Sequence, residues 1–156
     1  MCSIEEMRIF PYAKDCVRQI KKKGYYTIVI TNQSGVARGL FTEEMLIEMN
    51  NYLQKKIGVD AIYYCPHYQK GKEEKYTMNC NCRKPKTGMI ERACKEFDID
   101  MEKSFFVGDR AGDIMAGRNA GIKTVLLESG YGTERLENNV IPDYIFDDLR
   151  KVIQIL

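Results

Sequence analysis

No apolar run in the 156-residue sequence approaches the roughly 18–20 residues needed to cross a bilayer. No charge sign dominates either. There are 24 basic and 22 acidic side chains, a net charge of +2, which gives no reason to expect nucleic acid as the main partner. The opening residues Met1 to Glu6 form neither a basic n-region nor an apolar h-region. No secretory leader is therefore expected, and the expected compartment is the reducing cytoplasm. Internal repeats, low-complexity tracts and linkers are absent, so residues 1–156 read as a single domain. Neither Gly-x-x-x-x-Gly-Lys nor Gly-x-Gly-x-x-Gly follows the first strand, which argues against a nucleotide-binding or receiver-like domain. The composition is that of a soluble globular protein, 44% apolar and 29% charged.

Helix and strand patterns alternate. Ala13, Cys16, Val17 and Ile20 fall on one helical face, and Gly24 stops that helix after a lysine-rich turn. Tyr26–Ile30 is a β-branched run that reads as a strand buried on both faces. Thr42 and two glutamates open a second helix with the apolar face Leu46, Met49, Leu53 and Ile57, and Ala61–Tyr64 is the next strand. Residues 65–86 break the rhythm with Pro66, Gly71 and Pro85. A loop that long needs a metal or a function to explain it. Afterwards come a helix with Ile90, Ala93, Cys94 and Phe97, a strand over 104–107, a short helix through Ile114, a strand over 124–127, an edge strand over 144–146, and a closing helix with Leu149, Val152, Ile153 and Leu156. Strand–helix repeats of this kind imply an α/β fold, a Rossmann-like parallel sheet with helices on both faces. In such sheets ligands bind at the carboxyl ends of the strands.

Four clusters carry chemistry. Cys65-Pro66-His67 is followed, after twelve residues, by Cys80-Asn81-Cys82. Three thiols and the chain's one imidazole are a tetrahedral zinc set, and with no open coordination position the Zn²⁺ is structural, closing the loop 65–82. A disulfide is the bland alternative. The one-residue spacing and the reducing compartment disfavour it, and Cys16 and Cys94 read as core thiols. Thr31-Asn32-Gln33-Ser34-Gly35 follows the first strand with hydroxyl, amide and N–H donors suited to an anion, a weak signal alone, which Arg38 strengthens slightly. Arg83-Lys84-Pro85-Lys86 puts three cations in four residues beside the thiol cluster. Phosphoryl transfer uses positioned cations of this kind, whereas a lone charge run is usually only solvated. Finally, Val107-Gly108-Asp109 ends a strand, and Asp113 follows at i+4. Two carboxylates suit Mg²⁺, which keeps waters and phosphate oxygens. For Asp113 the competing role is a helix N-cap.

Together these segments resemble the haloacid dehalogenase superfamily of phosphatases, and within it most closely the D-glycero-D-manno-heptose 1,7-bisphosphate phosphatases, with the zinc-containing histidinol-phosphate phosphatases next. The resemblance runs through Thr31–Gly39, Tyr64–His67, Cys80–Met89, Val107–Arg110 and Asp113. It implies an Mg²⁺-dependent phosphatase acting on a small phosphosugar in heptose synthesis for lipopolysaccharide or surface glycans. Thr31, Lys84 and Asp109 would be catalytic. Asn32, Gln33, Ser34, Arg83 and Arg110 would join Thr31 and Lys84 around the substrate. Asp109 would bind Mg²⁺ and Asp113 would support it, while Cys65, His67, Cys80 and Cys82 would hold Zn²⁺. Neither a nucleic acid nor a membrane partner is implied.

One departure matters. The resembled family begins with a strand ending in Asp-x-Asp-Gly-Thr, whose first Asp attacks phosphorus and whose second is the general acid and base. The sequence has no such element, and Ile4–Pro11 resembles what comes after it. Its one Asp-x-Asp, Asp98-Ile99-Asp100, precedes a strand and is rejected as the nucleophile. Covalent catalysis is therefore expected to be missing from residues 1–156, and two inner strands are expected to want a neighbour, through direct pairing, dimerisation or poor folding. A shortened gene product is the favoured origin. The competing reading from another class is a catalytically dead phosphosugar-binding protein.

Overall fold

The computed structural model describes residues 4, 7–130 and 140–156. Cys2 and most of the opening segment lie outside them. The chain divides into two compact units, Met1–Arg83 and Lys84–Leu156.

The first unit contains α1 (Ala13–Lys22), β1 (Ile28–Asn32), α2 (Glu43–Ile57) and β2 (Ala61–Cys65), followed by a loop with a 3₁₀ turn at Glu74–Tyr76. β1 and β2 pair in parallel, with Ile28 opposite Ala61 and Asn32 opposite Cys65. The register is fixed at the start of the strands. Asp60, one residue before β2, accepts the Thr27 N–H at 2.8 Å, and Lys21 pairs with the same carboxylate at 3.2 Å. Val17 of α1 packs with Ile57 and Val59, against Val29 and Ile62 of the strands. A second cluster gathers Val36, Phe41, Leu46 and Met49. Leu46 is 1% exposed, and burial of such a side chain contributes about 1.5–3 kcal/mol. α2 starts as its sequence dictates, with the Thr42 hydroxyl accepting the Met45 N–H at 3.2 Å, and it stops at Gly58, whose φ of 78° is left-handed.

The second unit contains α3 (Gly88–Glu96), β3 (Phe105–Gly108), α4 (Ala111–Asn119), β4 (Lys123–Leu127), β5 (Tyr144–Phe146) and α5 (Leu149–Val152). Its strands form a parallel sheet in the order β3-β4-β5. The register device of the first unit recurs here. Asp143, one residue before β5, accepts the Thr124 N–H at 2.7 Å and its hydroxyl at 3.2 Å. β4 is the heart of the unit, with Thr124, Val125 and Leu126 fully buried. α4 lies close on β3 and β4 because Gly117 has no side chain. A Cβ there would come within 2.6 Å of Thr124 and 2.8 Å of Phe106.

The fold is α/β with parallel sheets and helices, as the alternation predicts. Four details differ. The first strand runs 28–32 rather than 26–30, because β2 continues to Cys65 and draws Thr31 and Asn32 into the ladder; Tyr26 is left 51% exposed. β1 is half-buried along its whole length rather than buried on both faces, and so is β3. Among the described strands, β1 pairs with β2 and β3 with β4. The closing helix is one α-turn followed by a 3₁₀ turn, and Cys94 is half-buried, donating to Met101 Sδ at 3.4 Å, whereas Cys16 is a true core thiol. No helix among the described residues is long and apolar enough to cross a membrane.

Candidate functional site

The thiol–imidazole cluster forms in the first unit. β2 carries Cys65 to its carboxyl end and Pro66 turns the chain, so His67 Nδ1 lies 3.7 Å from Cys65 Sγ. The later part of the loop, joined by an isolated parallel bridge between Tyr68 and Thr77, brings Cys80 Sγ to 3.5 Å from Cys65 Sγ and Cys82 Sγ to 3.3 Å from His67 Nδ1. All four ligand atoms lie within 4.8 Å of one another. A tetrahedral centre with Zn–S bonds of about 2.3 Å places sulfurs roughly 3.8 Å apart; the Cys65–Cys80 pair is close to that, Cys82 Sγ is nearer to Cys65 Sγ at 2.9 Å, and the donor set itself suits one metal ion. No disulfide joins these cysteines. Burial raises the Cys65 thiol and pushes the Cys82 thiol well above the usual range. Burial acts the same way on Cys80, but there the Arg83 N–H and the neighbouring thiols outweigh it and bring it to about 6.

The polar loop after β1 is tied to this cluster through backbone. Gln33 N–H donates to the Cys65 carbonyl at 2.8 Å, and Gln33 Nε2 donates to the Thr31 hydroxyl at 3.2 Å. Further on, the Ala37 carbonyl accepts the Lys72 and Glu73 N–H groups at 2.7 and 2.8 Å. Gly71 makes that approach possible, since a Cβ would fall 2.6 Å from the Ala37 oxygen. Thr31 and Asn32 thus end the strand rather than begin the loop, while Gln33 and Ser34 follow it.

Glu43, in the first turn of α2, is a junction the sequence did not announce. It accepts the Tyr64 hydroxyl at 2.7 Å and the Tyr76 hydroxyl at 2.6 Å, joining helix, strand and loop. The Tyr76 and Tyr64 hydrogen bonds lower the Glu43 carboxyl from 4.5, and the same carboxylate raises the Tyr76 phenol from 10.0 to about 12. The carboxyl is depressed in the fold, so its stabilisation is present above pH 4.5 and is lost as pH falls through the lowered value. The phenol is raised, so its stabilisation is present below pH 10 and is lost as pH rises through about 12. We predict a melting-temperature plateau between these limits. Glu43→Gln should flatten the acid limb relative to the unmodified chain, as followed by circular dichroism. An acid limb of equal steepness in the variant would contradict the assignment.

The second unit holds the basic turn and the acidic strand end. The basic turn carries a cis Lys84–Pro85 peptide, and Asn119 Nδ2 donates to the Pro85 carbonyl at 3.1 Å. Lys84 Nζ pairs with Asp113 Oδ1 at 2.5 Å, with both side chains largely buried. Asp113 Oδ2 accepts the Asp109 and Arg110 N–H groups, both at 3.2 Å. The sequence offered the N-cap role for Asp113, but Arg110 occupies that position. Asp113 stands in the third helical position of α4 and reaches back to the unsatisfied N–H groups of the turn. Gly108 makes room, since a Cβ there would lie 2.4 Å from Asp113. Lys84 thus has a protein carboxylate as its partner, and both Asp113 oxygens are engaged. Asp109 is different. Its half-buried carboxylate has no hydrogen bond or ion pair among the described residues, and Oδ2 faces the open side of Gly130, where a Cβ would sit 1.8 Å away. An uncompensated carboxylate at a strand end is costly, and a hard cation offsets that cost.

Comparison with known proteins decides the family. The HAD-hydrolase-like family model matches residues 81–152. The D-glycero-beta-D-manno-heptose-1,7-bisphosphate 7-phosphatase of Haemophilus influenzae is 38% identical, the match covering 98% of this chain and 85% of that protein. The enzyme of the same name from Pasteurella multocida is 41% identical over 81% of this chain and 72% of its own. The chain belongs to the heptose 1,7-bisphosphate phosphatase family. A crystal structure of the D,D-heptose 1,7-bisphosphate phosphatase from B. bronchiseptica, complexed with magnesium and phosphate, superposes with a TM-score of 0.82 at 29% identity, covering 98% of this chain and 86% of that one. The family consists of hydrolases of phosphomonoesters. These three relatives carry heptose names, and none of them favours the histidinol-phosphate alternative.

Proposed function

We propose that the chain is the body of a phosphatase acting on D-glycero-D-manno-heptose 1,7-bisphosphate, removing the 7-phosphate, in the cytoplasm where its thiols stay reduced. The observation that carries the reading is the pairing of Lys84 with Asp113 beside the uncompensated carboxylate of Asp109, in a chain 38% identical to a named 7-phosphatase over nearly its whole length. Asp109 is the Mg²⁺ ligand, and Asp113 positions both the turn that carries it and Lys84. Bound Mg²⁺ supplies charge neutralisation to phosphoryl oxygens. Lys84 places a localised positive charge against the transferring group, and Thr31, Asn32, Gln33 and Ser34 supply hydroxyl, amide and N–H donors. Arg83 and Arg110 contact the substrate. Cys65, His67, Cys80 and Cys82 hold a structural Zn²⁺, and residues 1–156 act as one domain.

The test is calorimetric titration of the chain with the bisphosphate in the presence of Mg²⁺. Saturable one-to-one binding is expected, and Lys84→Ala should weaken it about tenfold to a hundredfold through loss of a charge-assisted contact. Absence of binding by the unmodified chain, or full binding by the variant, would defeat the proposal.

A further inference from the structure

α4 holds the basic turn at two points. Near its N-terminal end Asp113 pairs with Lys84 Nζ, and at its last residue Asn119 Nδ2 donates to the Pro85 carbonyl at 3.1 Å. The two contacted residues are neighbours in a turn that belongs to neither helix nor strand. Proline has no N–H, so the carbonyl is the backbone group by which Pro85 can be held. Asn119 reaches it from 34 residues along the chain.

The plainer role for Asn119 is to end its own helix, where asparagine can stand in for glycine as the left-handed residue. Other residues fill that role. Gly121 takes the left-handed position with φ 77°, and the N–H groups of Ala120, Gly121 and Ile122 close on the Ala116, Arg118 and Gly117 carbonyls at 3.0, 3.0 and 2.9 Å. Nor is the contact a large source of stability. Asn119 is exposed, and exchange with water leaves such a hydrogen bond a small net gain. What the bond fixes is a position. Lysine carries its charge on a flexible four-carbon stem. The Asp113 pair restrains the tip of the Lys84 side chain, while its base rides on the turn. Asn119 restrains the base.

α4 is a firm support for both contacts, because Gly117 lets it lie against Thr124 of β4 and Phe106 of β3. The same helix sets the end of β3, since the Asp109 N–H donates to Asp113 Oδ2. One helix thus fixes the spacing between the Lys84 ammonium and the Asp109 turn. Charge stabilisation of a phosphoryl group depends on such spacing, and a misplacement of about 1 Å is costly.

We propose that Asn119 is a positioning residue that acts through Lys84, by fixing the turn that presents it. The role rests on the phosphatase reading above and deepens it by one residue.

The test is a double-mutant cycle on the full chain, read by calorimetric titration with heptose 1,7-bisphosphate in the presence of Mg²⁺. Asn119→Ala should weaken binding about threefold to tenfold, the effect of one neutral hydrogen bond. In a Lys84→Ala background the same substitution should change binding by less than about twofold, because a residue that acts through Lys84 then has nothing to position. A residue that merely braces the fold would give the same loss in both backgrounds. Melting temperature and amide hydrogen exchange are measured in parallel. Asn119→Ala should leave the midpoint within about 4 °C of the unmodified chain. It should accelerate exchange at the Lys86 N–H, while the Val125 and Leu126 amides of β4 keep their protection. Unchanged affinity in Asn119→Ala, an equal loss in the two backgrounds, or unaltered exchange at Lys86 overturns the inference and leaves the phosphatase reading intact. Failure of the unmodified chain to bind the bisphosphate overturns both.

Discussion

Removing the metal with a chelator is expected to lower the melting temperature of the chain by about 15 °C or more. A site filled a thousandfold above its dissociation constant stabilises by about 4 kcal/mol, and each kcal/mol moves the midpoint of a unit of 60–100 residues by about 4–8 °C. The loop closed by Cys65, His67, Cys80 and Cys82 contains only a 3₁₀ turn and an isolated bridge, and it contributes no fully buried apolar side chain between Pro66 and Cys82. Apart from the proposed metal it is held by polar contacts, the Tyr76 hydroxyl on Glu43 and two N–H groups on the Ala37 carbonyl, and by the Tyr76 ring against the Val36 cluster. The loss should extend beyond the loop, because Gln33 N–H donates to the carbonyl of a ligand residue and Lys72 and Glu73 donate to Ala37. Amide hydrogen exchange at those three N–H groups should accelerate in the chelated protein, together with the shift in melting. Cys80→Ser should reproduce both effects without chelator. A midpoint displaced by less than about 2 °C, with exchange unchanged, would show that the four side chains meet without a structural metal.

The sequence made the elements legible wherever a single period governs them. The faces Cys16–Val17 of α1 and Leu46–Met49–Ile57 of α2 are buried as their spacing predicts. The four candidate metal donors converge because two short pairs sit at the ends of a loop whose first pair is anchored by a strand. What spacing could not supply are contacts across the chain. Asp60 and Asp143 read as loop acids, yet each locks the register of a neighbouring strand. Glu43 reads as a helix-dipole residue, and the two tyrosines that claim it come from 21 and 33 residues away. Lys84 reads as a cation waiting for an anion, and Asp113 already occupies it. The β-branched run of β1 predicts burial on both faces, but burial depends on what lies against each face, and the strand is half-buried throughout.

Assayed by itself, the chain of residues 1–156 is expected to release phosphate from heptose 1,7-bisphosphate roughly 10⁴-fold or more slowly than its family relatives, while still binding that ligand. Loss of the nucleophile in covalent catalysis costs this much, because positioning and charge stabilisation persist but no bond to phosphorus forms. None of the carboxylates described can substitute. Asp100 caps a 3₁₀ turn, accepting the Glu102 N–H at 3.1 Å while its carbonyl takes the Ser104 hydroxyl at 2.6 Å. Asp113 is engaged by Lys84 and two backbone donors, so its lone pairs are committed. Of the three, Asp109 is uncommitted, and a carboxylate held against the proposed Mg²⁺ would be a weakened nucleophile. Extending the chain at its N-terminus with an Asp-x-Asp-Gly-Thr strand from a relative should restore release, and replacing the first aspartate of that strand by asparagine should abolish it again. Turnover by residues 1–156 comparable to that of the relatives would mean that phosphorus is attacked by a group already on this chain, with Asp109 the first residue to replace.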